Sequence, residues 1–186
     1  MIRWLILSAA AAIAIPFIVP MLAPATKVGA AVSARFLERP GGIPAEPSAP
    51  PATIDATSLR AWATAAGTSA YARAYARSVM PIDLCYILAF GGFLALAAHT
   101  LAISGIVPGN PLGKVPIAVW LALPALYALT DLFEDFLIFA LLTWPAAITD
   151  ASVDLLAVLR AIKIGSSALA LLQLFVLGLG GLLPFG

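Results

Sequence analysis

The stretch Leu121–Trp144, LALPALYALTDLFEDFLIFALLTW, is apolar and long enough to cross a membrane, yet it carries three carboxylates. These are Asp131, Glu134 and Asp135, and spacings of three and four residues place side chains on one face of a helix. An ionised carboxylate is costly in hydrocarbon, so intramembrane acids usually face a bundle interior and pair with a base. The stretch therefore predicts a membrane-spanning helix with one charged face.

Two bases, Arg160 and Lys163, lie in the next apolar segment. At about 1.5 Å per residue, Lys163 and Asp135 reach a similar depth, roughly 13 Å from the interface where the two helices are joined. We expect one of the two bases to pair with Asp135 or Glu134. Asp83 enters the membrane from the same side and can join them. The predicted intramembrane charge cluster has six members: Asp83, Asp131, Glu134, Asp135, Arg160 and Lys163.

The composition is that of a membrane protein. Of 186 residues, 62% are hydrophobic and 10% are charged, with a mean hydropathy of +1.04, whereas soluble domains have about 25% charged residues. The net charge is +1 and no dense basic run occurs, so nucleic acid is not expected as a partner. One cysteine and one histidine exclude an internal disulfide and a metal site built from several histidines. No catalytic residue, metal site or cofactor is predicted.

Four apolar segments define the predicted fold. Spans of about 20 residues cross the hydrocarbon core, and in lipid they must be helical because backbone polar groups need internal partners. The segments cover residues 1–25, about 82–107, 115–144 and 153–183. The sequence thus predicts an all-α fold, an integral membrane four-helix bundle.

The first segment, residues 1–25, allows two interpretations. As a signal anchor it stays in the membrane and makes the first crossing. As a signal peptide it is removed after Ala23-Pro24-Ala25, which fits an A-x-A cleavage site. The apolar run is longer than the hydrophobic core region of a usual signal peptide, which favours the anchor.

Residues 26–81 form the predicted aqueous or interfacial loop. Five prolines and two glycines within residues 40–51 favour an extended linker. Beyond it, Asp55 or Thr57 can cap a short helix that Gly67 ends, and a second short helix covers residues 70–80.

The second short helix is amphipathic. Its tyrosines share one face and its arginines another, which suits a helix lying among lipid headgroups, although a solvated connector fits the same pattern. Trp144 marks the membrane interface at the end of the third crossing. The predicted interfacial residues are Tyr71, Arg73, Tyr75, Arg77 and Trp144.

Polar residues and one proline interrupt the later crossings. Ser166, Ser167 and Gln173 are predicted to form hydrogen bonds between helices. Pro124 is predicted to kink the third crossing, because proline lacks the N–H that a helix interior uses.

Charges in the loops bear on location. Six basic residues lie in the long loop, so the positive-inside rule places that loop in the cytoplasm, although the signal-like N-terminus favours the reverse. We expect a multi-pass protein of the bacterial inner membrane. Its expected partners are the lipid bilayer and other membrane proteins.

The chain from about residue 55 onward resembles a group of uncharacterised small bacterial four-helix integral membrane proteins. These combine a loop ending in G-x-x-x-x-Y and P-x-D-L-x-[YF] with a D-x-x-E-[ND] motif in the third transmembrane helix. Tyr71 comes one residue before the usual position. The resemblance implies the fold but no activity. The residues that match are Gly67, Pro81, Asp83, Leu84, Tyr86, Asp131, Glu134 and Asp135.

Three functional hypotheses follow from the charge cluster. Because acids and bases nearly balance, a structural or interaction protein is the leading one. One acid in excess favours, as an alternative, a small transporter or proton- or ion-coupled carrier. A second alternative is a lipid-modifying membrane enzyme that binds a cation through the acids of the third helix.

Overall fold

The computed structural model describes residues 2–21, 32, 55–65, 68–103 and 114–180. The predicted proline-rich linker, the Ala23-Pro24-Ala25 cleavage site and Gly67 lie outside these ranges. Every regular element in the described ranges is helical, and they contain no β-strand. The all-α prediction is therefore confirmed for this part of the chain.

Six α-helices account for most of the described residues. The helices are α1 (Ile2–Met21), α2 (Ala56–Ala65), α3 (Thr68–Ala74), α4 (Met80–Ile103), α5 (Ile117–Thr143) and α6 (Asp150–Gly180). A π-helical turn, Tyr75–Val79, joins α3 to α4, and a 3-10 turn, Pro145–Ala147, lies between α5 and α6.

The π-helical turn has a cause in the sequence. The backbone N–H of Met80 donates to the carbonyl of Tyr75, five residues back. Pro81 follows, and its ring would clash with the carbonyl of Arg77 in a regular α-helix. Widening the helix to π spacing just before Pro81 relieves that conflict. The chain is therefore helical without interruption from Thr68 to Ile103, where the sequence suggested two separate helices.

The chain divides into two compact units. The first unit comprises Met1–Ile18, Leu84–Phe133 and Leu159–Gly186, and the second comprises Val19–Asp83 and Glu134–Val158. Each has a core of its own.

The core of the first unit is small and aromatic. Leu94, Tyr127 and Ala170 are buried there, with Phe90 and Phe93 packed against them. A methyl group built on Gly91 would lie 3.6 Å from the Cβ atom of Ala128, so α4 and α5 approach closely at this point. A small residue of α4, Gly91, thus lies where α5 approaches closely, as is typical of small residues between membrane helices.

The core of the second unit is larger and comes from short helices as well as long ones. Leu59 of α2 and Tyr75 of the π turn are buried together with Ile138, Leu142 and Leu156. The amphipathic α2 therefore buries one face, which explains why a ten-residue helix is stable despite its length.

Two helical stretches are long and apolar enough to cross a membrane, by length and composition. They are Tyr71–Ile103 and Asp150–Leu179, and only 17% and 22% of their most apolar windows are buried inside the protein. The core helix of a soluble protein would be mostly buried. Large apolar side chains instead point outward along these helices, as Leu88 and Phe175 do at 67% and 63% exposure.

Candidate functional site

The polar centre of the first unit is the carboxylate of Asp131. Lys163 Nζ lies 2.8 Å from Asp131 Oδ1 and forms an ion pair between α5 and α6. The hydroxyl of Tyr127, one turn earlier on α5, donates to Asp131 Oδ2 at 2.9 Å. Each carboxylate oxygen thus has its own donor. Only 10% of the Asp131 side chain is exposed, against 26% for Lys163, so the base is the member closer to the surface.

Aromatic rings extend from this carboxylate along α4. The ring of Tyr127 meets that of Phe90 edge to face at a centroid distance of 5.2 Å. Phe90 in turn stacks on Tyr86 at 5.8 Å with an interplanar angle of 8°. These rings fix the Tyr127 side chain, whose hydroxyl is then held toward Asp131.

A second polar contact joins α5 and α6. Pro124 lies inside α5 and has no N–H, so the carbonyl four residues earlier, that of Trp120, loses its helical donor. The side-chain amide of Gln173 on α6 donates to this carbonyl at 2.7 Å. A neighbouring helix thus supplies the hydrogen bond that the proline removes, as apolar surroundings require.

The two contacts are spaced alike on both helices. Trp120 precedes Asp131 by eleven residues on α5, and Gln173 follows Lys163 by ten on α6. These intervals correspond to about 16 Å and 15 Å of helix. The ion pair and the Gln173 contact therefore agree on one antiparallel register for this part of α5 and α6.

The second unit contains its own tyrosine and carboxylate pair. The hydroxyl of Tyr75 donates to Asp135 Oδ1 at 3.0 Å, and both residues are buried, at 1% and 5% exposure. Glu134 is also buried in this unit. Buried carboxylates need hydrogen-bond donors. The π turn carries Tyr75, which supplies one to Asp135.

Helix α2 is fixed at its N-terminus and through one side chain. Asp55 accepts hydrogen bonds from the backbone N–H groups of Thr57 and Ser58 at 3.1 and 3.0 Å, which confirms it as the cap of α2. The bond from Ser58 is the main reason why the pKa of Asp55 lies below its usual value. Arg60 Nε donates to the carbonyl of Ile148 at 2.9 Å, and its Nη2 contacts the same oxygen.

The predicted charge cluster is divided between the two units. Asp131, Arg160 and Lys163 belong to the first unit, and Asp83, Glu134 and Asp135 to the second. Arg160 is buried and Asp83 is half-buried.

The ion pair of Lys163 involves Asp131, which lies one turn from Asp135 on α5. The sequence led us to expect Arg160 or Lys163 to pair with Asp135 or Glu134, and for Arg160 this stays a prediction. The depth of Lys163 depends on where α6 begins. Thr149 and Ser152 bond reciprocally, each side-chain hydroxyl accepting the other's backbone N–H at 3.3 and 2.9 Å, and this cap starts α6 at Asp150. That start is earlier than the depth comparison assumed.

The predicted interfacial residues have different surroundings. Arg73, Arg77 and Trp144 are exposed. Tyr71 is half-buried and contacts the ring of Trp62 at a centroid distance of 5.2 Å. Tyr75 differs from the expectation: it lies in the core, because its hydroxyl bonds a buried carboxylate.

Of the three polar residues predicted to bond between helices, one does so. Gln173 is confirmed by its contact with Trp120. Ser166 and Ser167 instead bond carbonyls of their own helix, those of Lys163 and Ile164. This is a common solution for serine within a helix, since its short side chain reaches the preceding turn.

Among the described residues, no group of three or more His, Cys, Asp or Glu side chains is placed to hold a metal ion.

Comparison with protein-family models, with curated proteins and with solved structures gives no match.

Proposed function

We propose that this chain is a multi-pass protein of the bacterial inner membrane in which α1, α4, α5 and α6 each cross the bilayer. The length and apolar composition of two helical stretches, Tyr71–Ile103 and Asp150–Leu179, support two of these crossings. Helix α1 adds 20 residues with exposed apolar side chains such as Trp4 and Ile13. Helix α5 has 27 residues, and its three carboxylates are buried, so they do not oppose insertion by facing lipid.

The role we propose is structural: a membrane scaffold whose partners are the bilayer and other membrane proteins, with no nucleic acid among them. The observation that supports this role is the 2.8 Å ion pair between Lys163 and Asp131. Both oxygens of that carboxylate are engaged by side chains of the protein itself. A charge neutralised in this way holds two helices in register.

A double-mutant cycle on the ion pair tests the proposal. Asp131→Asn keeps an acceptor for Tyr127 but removes the negative charge that pairs with Lys163, and Lys163→Met removes the positive charge that pairs with Asp131. We expect each single change to cost about 1–3 kcal/mol, below the value for a fully buried pair because Lys163 is 26% exposed. The double variant should be more stable than the Lys163→Met variant.

The measurement is thermal unfolding of the purified full-length protein in detergent, with Ser167→Ala as control because that hydroxyl bonds only its own helix. Additive losses in the double variant would contradict the proposed role of the pair, since independent residues show no coupling.

A proton- or ion-coupled carrier is the second candidate. The observation that favours it is a row of ionisable groups, Tyr127, Asp131 and Lys163, which ends at a partly exposed amine. Intramembrane ionisable residues often mark ion pathways. Proteoliposomes loaded with a pH-sensitive dye test it: a carrier requires a proton flux that Asp131→Asn abolishes. A flux that is absent, or unchanged by this substitution, would reject it.

A further inference from the structure

Helix α5 has a break in its backbone hydrogen bonding at Pro124. A proline inside a helix removes the bond from its own position to the carbonyl four residues earlier. The carbonyl concerned is that of Trp120, and Gln173 of α6 bonds it at 2.7 Å. Without this side chain, the carbonyl would have neither a helical donor nor water inside an apolar layer.

We propose that Gln173 is a latch on a hinge at Pro124. With the latch closed, the first part of α5, residues 117–123, is held against α6. With the latch open, this part is free to tilt about the proline, while the remainder of α5 within the first unit stays tied to α6 by the ion pair of Asp131 and Lys163. The inference rests on the Gln173 contact and on the proposed membrane crossing of α5, and it holds whether the protein is a scaffold or a carrier.

The hinge at Pro124 lies close to the hydrogen bond between Tyr127 and Asp131. Tyr127 follows Pro124 by three residues, less than one turn, and donates to Asp131. A tilt at the proline therefore occurs next to the polar centre of the first unit. The Gln173 contact would control the part of α5 before Pro124, and the ion pair of Asp131 and Lys163 would control the part after it.

Replacing the proline gives a sharp test, because alanine at position 124 restores the missing N–H. In the natural Pro124 background, Gln173→Leu leaves the Trp120 carbonyl without its donor, and we expect the apparent Tm to fall by about 3–8 °C. In a Pro124→Ala background the helix supplies its own donor, and the same substitution should lower the Tm by less than about 2 °C. Ser167→Ala serves as control in both backgrounds and should change neither.

The outcomes are distinct. Equal losses in both backgrounds would show that Gln173 acts by packing and would overturn the proposal. The absence of a loss in the Pro124 background would overturn it as well. Pro124→Ser, which carries the same backbone N–H, replaces Pro124→Ala if the latter does not fold.

Amide hydrogen exchange distinguishes a hinge at Pro124 from a general stabilisation of α5 by Gln173. In the Gln173→Leu variant, amides of residues 117–123 should exchange at least ten times faster, while those of residues 128–133 stay protected. Uniform acceleration along α5 would mean general destabilisation and would count against a hinge. The ion-pair cycle described above is independent of this result, so failure of either proposal is recognisable separately.

Discussion

Tyr127 and Asp131 lie one turn apart on α5, and the tyrosine hydroxyl donates to the carboxylate oxygen that Lys163 does not use. An (i, i+4) pair of this kind is internal to one helix. The carboxylate therefore has one donor from its own helix and one from α6, so a change in either leaves it half satisfied.

Removing the Tyr127 hydroxyl is expected to destabilise the first unit. Tyr127→Phe keeps the ring contact with Phe90 but takes a donor from a buried carboxylate. We expect a loss of about 1–2 kcal/mol, between the values for hydrogen bonds to charged groups and those found inside membranes. Chemical unfolding in detergent measures it. The control is Ser167→Ala, which removes a hydroxyl that bonds only its own helix, and an equal loss there would contradict the assignment.

The second unit allows a parallel experiment on its own tyrosine. Tyr75→Phe removes the donor to Asp135 within the buried core, so we expect a loss of about 1–3 kcal/mol. Tyr71→Phe, one turn earlier, retains the ring that contacts Trp62. It should cost less than about 0.5 kcal/mol, the usual limit for substitutions that break no buried contact. If both substitutions have the same effect, the hydroxyl of Tyr75 is not what stabilises this unit.

The cap of α2 predicts a local dependence on pH. Hydrogen bonds from the backbone lower the pKa of Asp55 below its unfolded value. The cap therefore contributes fully above the unfolded pKa and is lost as the pH falls through the lower, folded pKa. Amide exchange at residues 56–59, corrected for its intrinsic pH dependence, should accelerate over that acidic interval.

Two variants separate the cap from other effects of acid. Asp55→Ala should show fast exchange at residues 56–59 already at neutral pH, whereas Asp55→Asn, which still accepts hydrogen bonds, should resemble the natural protein at neutral pH. Fast exchange in both variants would mean that charge, and not capping, holds the first turn.

Trp120 carries a buried indole N–H with no acceptor among the described residues. A buried donor without a partner is unfavourable, so an aromatic ring lacking it should be tolerated. We expect Trp120→Phe to change the free energy of unfolding by less than about 1 kcal/mol, because the lost packing area is offset by the removed donor. A loss above about 2 kcal/mol, measured by thermal unfolding, would show that the indole N–H has a partner.

The sequence was most informative where composition and spacing suffice. The apolar segments predicted helices, and the acids at positions 131, 134 and 135 predicted buried groups that need partners. Lys163 was one of the two bases named as candidate partners. Which acid it meets depends on where α6 begins, and the bonds between Thr149 and Ser152 mark that start. That pair of residues was visible in the sequence as a helix-starting pattern.

Contacts that depend on packing were harder to predict. Tyr127 was overlooked although its spacing from Asp131 signals a bond along one helix. Gln173 was predicted to bond another helix, and the carbonyl it would choose follows from the proline at position 124. By contrast, nothing local in the sequence places Tyr75 beside Asp135, because that contact joins residues sixty positions apart.

The π turn at Tyr75–Val79 also makes the chain sensitive to length at one place. Such a turn is equivalent to a one-residue insertion into an ordinary helix, so deleting Ser78 would change the register between Tyr75 and Met80. The deletion would rotate Tyr75 by about 100° relative to Met80 and turn its hydroxyl away from Asp135. The shorter chain would thus lose the donor to a buried acid.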